Sequence, residues 1–129
     1  MTLFLIRGLP GSGKSTYGSK IGCFHVEADM YHFKDGEYIF DGSRSRLGHN
    51  WCQKTALFAM EHGMDVAVSN TFTQERELRP YLDFAAKTGH KVKVIRMDKE
   101  YGTIHSVPTE TVQKMRDRFE DIEGEEVIK

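Results

Sequence analysis

The densest chemistry in this chain lies in GLPGSGKS, Gly8 to Ser15, with Thr16 directly behind it. The stretch matches the spacing glycine, four residues, glycine, lysine, serine at every fixed position. The spacing has a physical reason. Gly11 and Gly13 let the backbone curl so that successive N–H groups point inward, and the positive end of a following helix adds to that field. Lys14 then reaches the terminal phosphates of a nucleotide, and Ser15 coordinates Mg²⁺. Gly8, Pro10, Gly11, Ser12, Gly13, Lys14, Ser15 and Thr16 are thus the expected binding loop of a nucleoside triphosphate, with ATP as the expected nucleotide.

Such a loop works between a strand and a helix, and the flanking residues supply both. Thr2 to Arg7, β-branched and aromatic-rich, predicts a strand, and the residues from about Lys14 to Ile21 predict a helix. Phe24 to Glu27 reads as a second short strand. The following ADMYHFKDGEYIFDGS is a surface loop or small hairpin placed to receive a substrate. From Ser43 to His62, Leu47, Trp51, Phe58 and Met60 recur with Ala56 and Ala59 at helical spacing, with Leu47, Trp51 and Phe58 expected in the core and Gly63 as the stop. Asp65 to Asn70 predicts a third strand, Glu75 to Thr88 a helix ended by Gly89, and Lys91 to Met97 a fourth strand. A last helix, Thr109 to Ile122, carries Val112, Met115, Phe119 and Ile122 on one face, and the acidic EGEEVIK is expected to fray. The alternation predicts an α/β fold of three layers, a short, mostly parallel sheet of about four strands flanked by helices. Residues 1–122 form the one domain and 123–129 an acidic tail. Ligands of such sheets gather beyond the carboxyl ends of the strands, where the glycine-rich loop lies.

Composition narrows the function classes. The 129 residues are 39% apolar, enough for one core without staples, and the net charge of −1 disfavours sequence-independent wrapping of duplex nucleic acid while leaving a local basic patch open. Cys23 and Cys52, with no secretory leader and no apolar run near about 18 residues, predict a reduced protein with no membrane partner in the cytoplasm, the host cytoplasm if the chain is phage-encoded. The spacings of Cys23, His25, His32, His49 and Cys52 match no usual zinc pattern, so buried thiols and surface histidines are expected instead.

Four segments taken together, LIRGLPGSGKST, EADMYHFKDGEYIFD, SNTFTQERELRPYLDFA and IHSVPTETVQKMRDRFE, are similar in order and spacing to the polynucleotide-kinase-like P-loop kinase family. That family includes the phage polynucleotide 5′-hydroxyl kinases and related small phage and bacterial AAA-type ATP-binding proteins. The resemblance runs from about Thr2 to Glu120 and implies the P-loop NTPase fold and a Mg²⁺-assisted transfer of the ATP γ-phosphate to a hydroxyl. The acceptor it implies is a polynucleotide 5′-hydroxyl, as on a single-stranded nucleic acid, or a nucleotide-like alcohol. Asp29 falls where these kinases carry the carboxylate that takes the proton of the attacking hydroxyl. Chemistry supports that role separately, since a carboxylate just past the second strand lies beside the phosphate loop. Asn70 and Thr71 resemble the polar pair at the end of the third strand that meets phosphate, metal shell or acceptor, and Arg76 resembles an arginine that contacts acceptor phosphate.

The chain also departs from the family. Its third strand reads VAVSNT, with no Walker-B aspartate, and His32 stands where the phage kinases have an arginine. Gly102 and Thr103 occupy lid positions where the fuller pattern reads arginine and asparagine, while His105 and Pro108 match the lid hinge. An arginine over the transferring phosphoryl group is worth about 10³ to 10⁵ in rate in GTPases, so a substitute is expected among Arg96, Lys99, Arg116 and Arg118, with Arg116 taken as catalytic. Tyr31, Phe33, Tyr38 and Phe40, interleaved with Lys34, Arg44 and Arg46, form either a platform that selects the acceptor or a hairpin burying its own rings. An ATP-binding NTPase or nucleotide-dependent binding module that lost acceptor transfer with its lid arginine is the alternative.

Overall fold

Leu3 and Leu5 alternate with Phe4 and Ile6, and because strand side chains point to opposite faces, such a strand must be covered on both sides. In the computed structural model, which describes residues 1–34, 37–38, 42–99 and 108–129 and gives the backbone alone for Phe33, Lys34 and Tyr38, this strand lies at the centre. β1 (Thr2–Arg7) is flanked by β5 (Val66–Asn70) and β6 (Lys91–Met97), with β2 (Phe24–Val26) and β7 (Glu126–Ile128) at the edges. All four pairings are parallel, with Arg7 level with both Asn70 and Arg96.

On one face Leu3, Leu5, Val66 and Val68 pack against α2 (Ser45–Glu61) and α3 (Glu75–Thr88) through Cys52, Ala56, Ala59, Met60, Leu78, Tyr81 and Ala85. On the other, Ile6, Ala67, Ile95 and Met97 meet Tyr17 and Ile21 at α1 (Lys14–Lys20). A Gln74–Glu77 capping box opens α3, and Gly89, at φ 78°, closes it. The loop after β2 folds as a 3₁₀ turn, Ala28–His32, followed by a two-strand hairpin of β3 (Phe33–Lys34) and β4 (Glu37–Tyr38).

Four expectations are corrected. The sheet has five strands rather than four, because Glu126–Ile128 in the acidic tail pairs with Ile95–Met97 instead of fraying. The last helix, α4 (Thr109–Arg118), ends four residues early, since the chain turns extended at Phe119 to reach that edge. In α2 the stripe facing the sheet is Gly48, Cys52, Ala56 and Ala59, so Leu47 and Phe58 are 49% and 66% exposed rather than core, whereas half-buried Trp51 packs against the core as expected. His32 is buried rather than on the surface. The missing side chain of Gly48 lets the 3₁₀ turn approach α2, where a Cβ would stand 3.2 Å from the Ala28 carbonyl oxygen.

The base of the glycine-rich loop is held by a buried cation. Arg7, fully buried, donates from Nε to the Phe72 carbonyl (3.0 Å), from Nη2 to the Glu120 (2.7 Å) and Thr73 (3.3 Å) carbonyls, and from Nη1 to Glu125 Oε1 (2.7 Å). The Phe119 ring lies 4.2 Å from its guanidinium carbon and 4.7 Å from that of Arg96. Glu125 also faces Arg96 Nη1 at 3.5 Å, so one carboxylate offsets two neighbouring cations. Its side chain is 7% exposed, whereas that of Asp121, the other partner of Arg96, is 92% exposed. Removing one member of a buried ion pair strands the other, at about 3–5 kcal/mol. Glu125→Ala is therefore expected to lower stability in urea denaturation by about 3 kcal/mol, against less than about 1 kcal/mol for Asp121→Ala.

Candidate functional site

The loop leaves β1 at Arg7 and turns between the carboxyl ends of β5 and β6. Gly8 N–H donates to the Thr71 carbonyl at 3.2 Å and Ser12 N–H to the Leu9 carbonyl at 3.1 Å, which folds the loop back on itself. Gly11 and Gly13 sit at φ 84° and 86°, a left-handed conformation that a side chain would strain. A Cβ on Gly8 would collide with the Ser12 hydroxyl and stand 2.9 Å from the Met97 carbonyl oxygen. Among the described residues, Ser12 Oγ is the buried side-chain polar atom without a hydrogen-bond partner. A buried hydroxyl left so costs about 1–3 kcal/mol, and an anion in the loop offers it an acceptor. The cradle of amides and this orphaned donor fit a phosphate group.

Lys14 opens α1 and is half-buried. Burial lowers its pKa below the ordinary lysine value, and the charges of Glu27 and Asp29 push it back up. Both carboxylates therefore act on the lysine that the sequence assigns to the phosphates. Asp29 is exposed on the 3₁₀ turn beyond β2. Glu27, which sequence reasoning passed over as the last residue of a strand, accepts the Ser15 hydroxyl proton at 2.7 Å. A hydroxyl beside a carboxylate is a hard oxygen set of the kind Mg²⁺ takes. The signal was present: Glu27 directly follows the apolar Phe24–Val26 at a strand's carboxyl end, where parallel sheets place ligands. His25 Nε2 lies 2.8 Å from Ser69 Oγ and 3.6 Å from Glu27 Oε2, and Ser69 Oγ donates to the Lys14 carbonyl at 3.4 Å. Thr16 is exposed on the first turn of α1.

The third-strand end is built into the scaffold. Asn70, buried, accepts the Ala28 N–H at 2.9 Å and directs Nδ2 to Cys52 Sγ at 3.7 Å, so its amide positions the turn that carries Asp29. Thr71 contributes the carbonyl that receives Gly8 N–H. Arg76 is exposed and donates from Nε to the Gln74 side chain at 3.0 Å.

Of the four candidate lid substitutes, Arg96 is held by Asp121 and Glu125, and Arg118 donates to Thr73 Oγ1 at 3.2 Å. Lys99 and Arg116, with Arg96 and Phe119, line a cleft against Leu9 of the loop. Gly102, Thr103 and His105 lie outside the described residues, as does Phe40; Pro108 caps α4. Within the aromatic segment, Tyr31 accepts from Arg44 Nη2 at 2.8 Å, with the guanidinium carbon 5.0 Å from its ring, and packs 6.2 Å from Trp51. The Phe33, Tyr38 and Lys34 side chains lie outside the described set, and among the described residues no group of three or more His, Cys, Asp or Glu gathers as a metal cluster. Burial raises the Cys52 and Cys23 pKa values above the ordinary thiol value. No helix among the described residues is long and apolar enough to cross a membrane.

Comparison with known proteins places this geometry in a family. Human (Homo sapiens) NEDD4-binding protein 2 is 30% identical over 137 aligned positions that take in 93% of this chain, which spans only 8% of the human protein's length. A gluconokinase from Sinorhizobium meliloti 1021 superposes with a TM-score of 0.69 at 17% identity, over 98% of this chain and 81% of its own. A chain of the Pnkp1/Rnl/Hen1 RNA repair complex does so with a TM-score of 0.72 at 15% identity, over 92% and 43%. The two structural likenesses establish that this chain shares its fold with that gluconokinase and with that chain of the repair complex. A family model described as an AAA domain matches residues 3–106, from the first strand through the glycine-rich loop to beyond β6, and the chain belongs to that AAA domain family.

Proposed function

We propose that this protein is an ATP-dependent kinase that moves the γ-phosphoryl group to a hydroxyl, with a polynucleotide 5′-hydroxyl or a nucleotide-like alcohol as acceptor. The observation that carries the reading is the shared field at Lys14: a half-buried ammonium in a phosphate loop, faced by two carboxylates from the end of the next strand. A carboxylate within the field of that ammonium gives an approaching alcohol a proton acceptor, which transfer to a hydroxyl needs. Asp29 takes the hydroxyl proton as the acceptor oxygen bonds to the γ-phosphorus and the bond to the β-phosphate oxygen breaks. Lys14 and the loop amides hold the transferring phosphates, and Ser15 holds the Mg²⁺, which when bound neutralises phosphate charge. Arg116, on the cleft beside Leu9, serves as the lid cation; Asn70 and Thr71 act on the acceptor side by holding the turn of Asp29 and the start of the loop, and exposed Arg76 meets acceptor phosphate.

The acceptor class rests on the Tyr31 and Arg44 pair, a ring and a guanidinium two residues or more beyond Asp29, suited to stack a base and grip a phosphate. The likeness to a chain of an RNA repair complex supports a nucleic-acid end, and the likeness to a gluconokinase keeps a small alcohol in the test panel.

Labelled γ-phosphate from ATP is expected on 5′-hydroxyl oligonucleotides, in a panel that also contains nucleosides, sugar acids and water. Label in inorganic phosphate alone would mean an NTPase or binding module. Asp29→Asn is expected to reduce transfer by about 10² to 10⁴-fold with ATP affinity retained. Lys14→Met is expected to abolish ATP binding without lowering the melting temperature of the nucleotide-free protein at pH 7. The fold disfavours the charged lysine, a cost present below its folded pKa that fades as pH rises from there to the ordinary lysine value. The melting advantage of Lys14→Met should therefore shrink at alkaline pH. Asn70→Ala strands the Ala28 amide and is expected to cost about 1–3 kcal/mol in urea denaturation, with transfer falling more than ATP binding.

A further inference from the structure

Ser15 donates a hydrogen bond to a carboxylate that stands at the end of a different strand from the one where such loops look for it. The end of β5 offers Ser69 and Asn70, and both are occupied: Ser69 with His25 and the Lys14 carbonyl, Asn70 with the Ala28 amide and Cys52. Neither carries charge. β2 runs parallel beside β5 with Val26 level with Val68, so the residue after Val26 reaches the same level of the sheet as Ser69. That residue is Glu27, and its Oε2 lies 2.7 Å from Ser15 Oγ.

From this juxtaposition we infer that Glu27 is the positioning residue of the metal site, fixing the Ser15 hydroxyl and supplying the anionic charge that the third strand lacks. The inference rests on the reading of Gly8 to Ser15 as a Mg²⁺-nucleotide loop. A serine that donates its proton to Glu27 keeps its oxygen lone pairs for a cation, the orientation a metal ligand needs. The Glu27 side chain is 18% exposed, so its charge is less screened than that of a solvated surface carboxylate, and His25 Nε2 lies 3.6 Å from it. Lys14 lies in its field and in that of Asp29. Two carboxylates of one short segment thus divide the work: Glu27, turned to Ser15, serves the cation, and Asp29, exposed on the turn, serves the acceptor.

The test measures binding, so that it does not depend on an acceptor. Affinity for a fluorescent ATP analogue is titrated in EDTA and against Mg²⁺, with Mn²⁺ uptake followed by electron paramagnetic resonance, for the wild type, Glu27→Gln, Glu27→Ala and Lys14→Met. Glu27→Gln keeps size and an acceptor for Ser15 while removing the charge. The expected result is that half-saturating Mg²⁺ and Mn²⁺ rise about 10 to 100-fold in Glu27→Gln, while nucleotide affinity in EDTA is unchanged or tighter. Glu27→Ala should shift at least as far, and Lys14→Met should lose nucleotide with or without metal. Metal titrations of both Glu27 variants that overlay the wild type would overturn the inference and leave the nucleotide reading standing. A wild type that binds no ATP analogue under any condition would overturn both.

Discussion

The guanidinium of Arg7 ties together the parts on which the site depends. It is the last residue of the central strand and the one directly before the glycine-rich loop, and its side chain is fully buried. A buried charge is tolerated only when its donors are met. Here they meet the carbonyls of Phe72 and Thr73 beyond β5, the carbonyl of Glu120 beyond α4, and the carboxylate of Glu125 before β7. Three segments distant in sequence are thereby fastened to the base of the loop. Phe72 is held at φ 43°, a left-handed backbone worth about 1–3 kcal/mol of strain for a residue with a side chain, and its carbonyl is one of the Arg7 acceptors.

Register then decides what faces the loop. Because β5, β1 and β6 are parallel and in step, their carboxyl ends form one rim, and the loop crosses it. The β6 side carries Arg96, Lys99 and Arg116 together with Asp98 in the cleft at Leu9, and the β2 side carries Glu27 and Asp29. Lys14 stands in the anionic field, which offsets part of what burial costs its charge.

Much of the fold was legible because its signals are local. The alternation of Thr2–Arg7, the glycines at 63 and 89, and the periodicity of Glu75–Thr88 each depend on residues a few positions apart, and each element formed where its pattern predicts. The failures share one cause. Leu47 and Phe58 looked like core because their spacing is helical, but spacing does not say which stripe meets the sheet, and the smaller Gly48, Cys52, Ala56 and Ala59 allow the closer approach. EVI in an acidic tail carries too weak a signal to read as a strand, and becomes one where Met97 and its neighbours leave an edge to be paired.

The sequence by itself determined the alternation of strands and helices from β1 to α4 and the phosphate-loop spacing with its strand before and helix after, since short-range sterics and periodicity suffice for these. Tertiary structure alone decided which carboxylate meets Ser15, that Arg7 would be fastened to Glu125, that His32 would be buried, and which cations would line the cleft at Leu9. Those outcomes join residues twelve to 118 positions apart. The physical reason is that burial and strand register, which set distances across the sheet, are properties of the packed chain and of no segment within it.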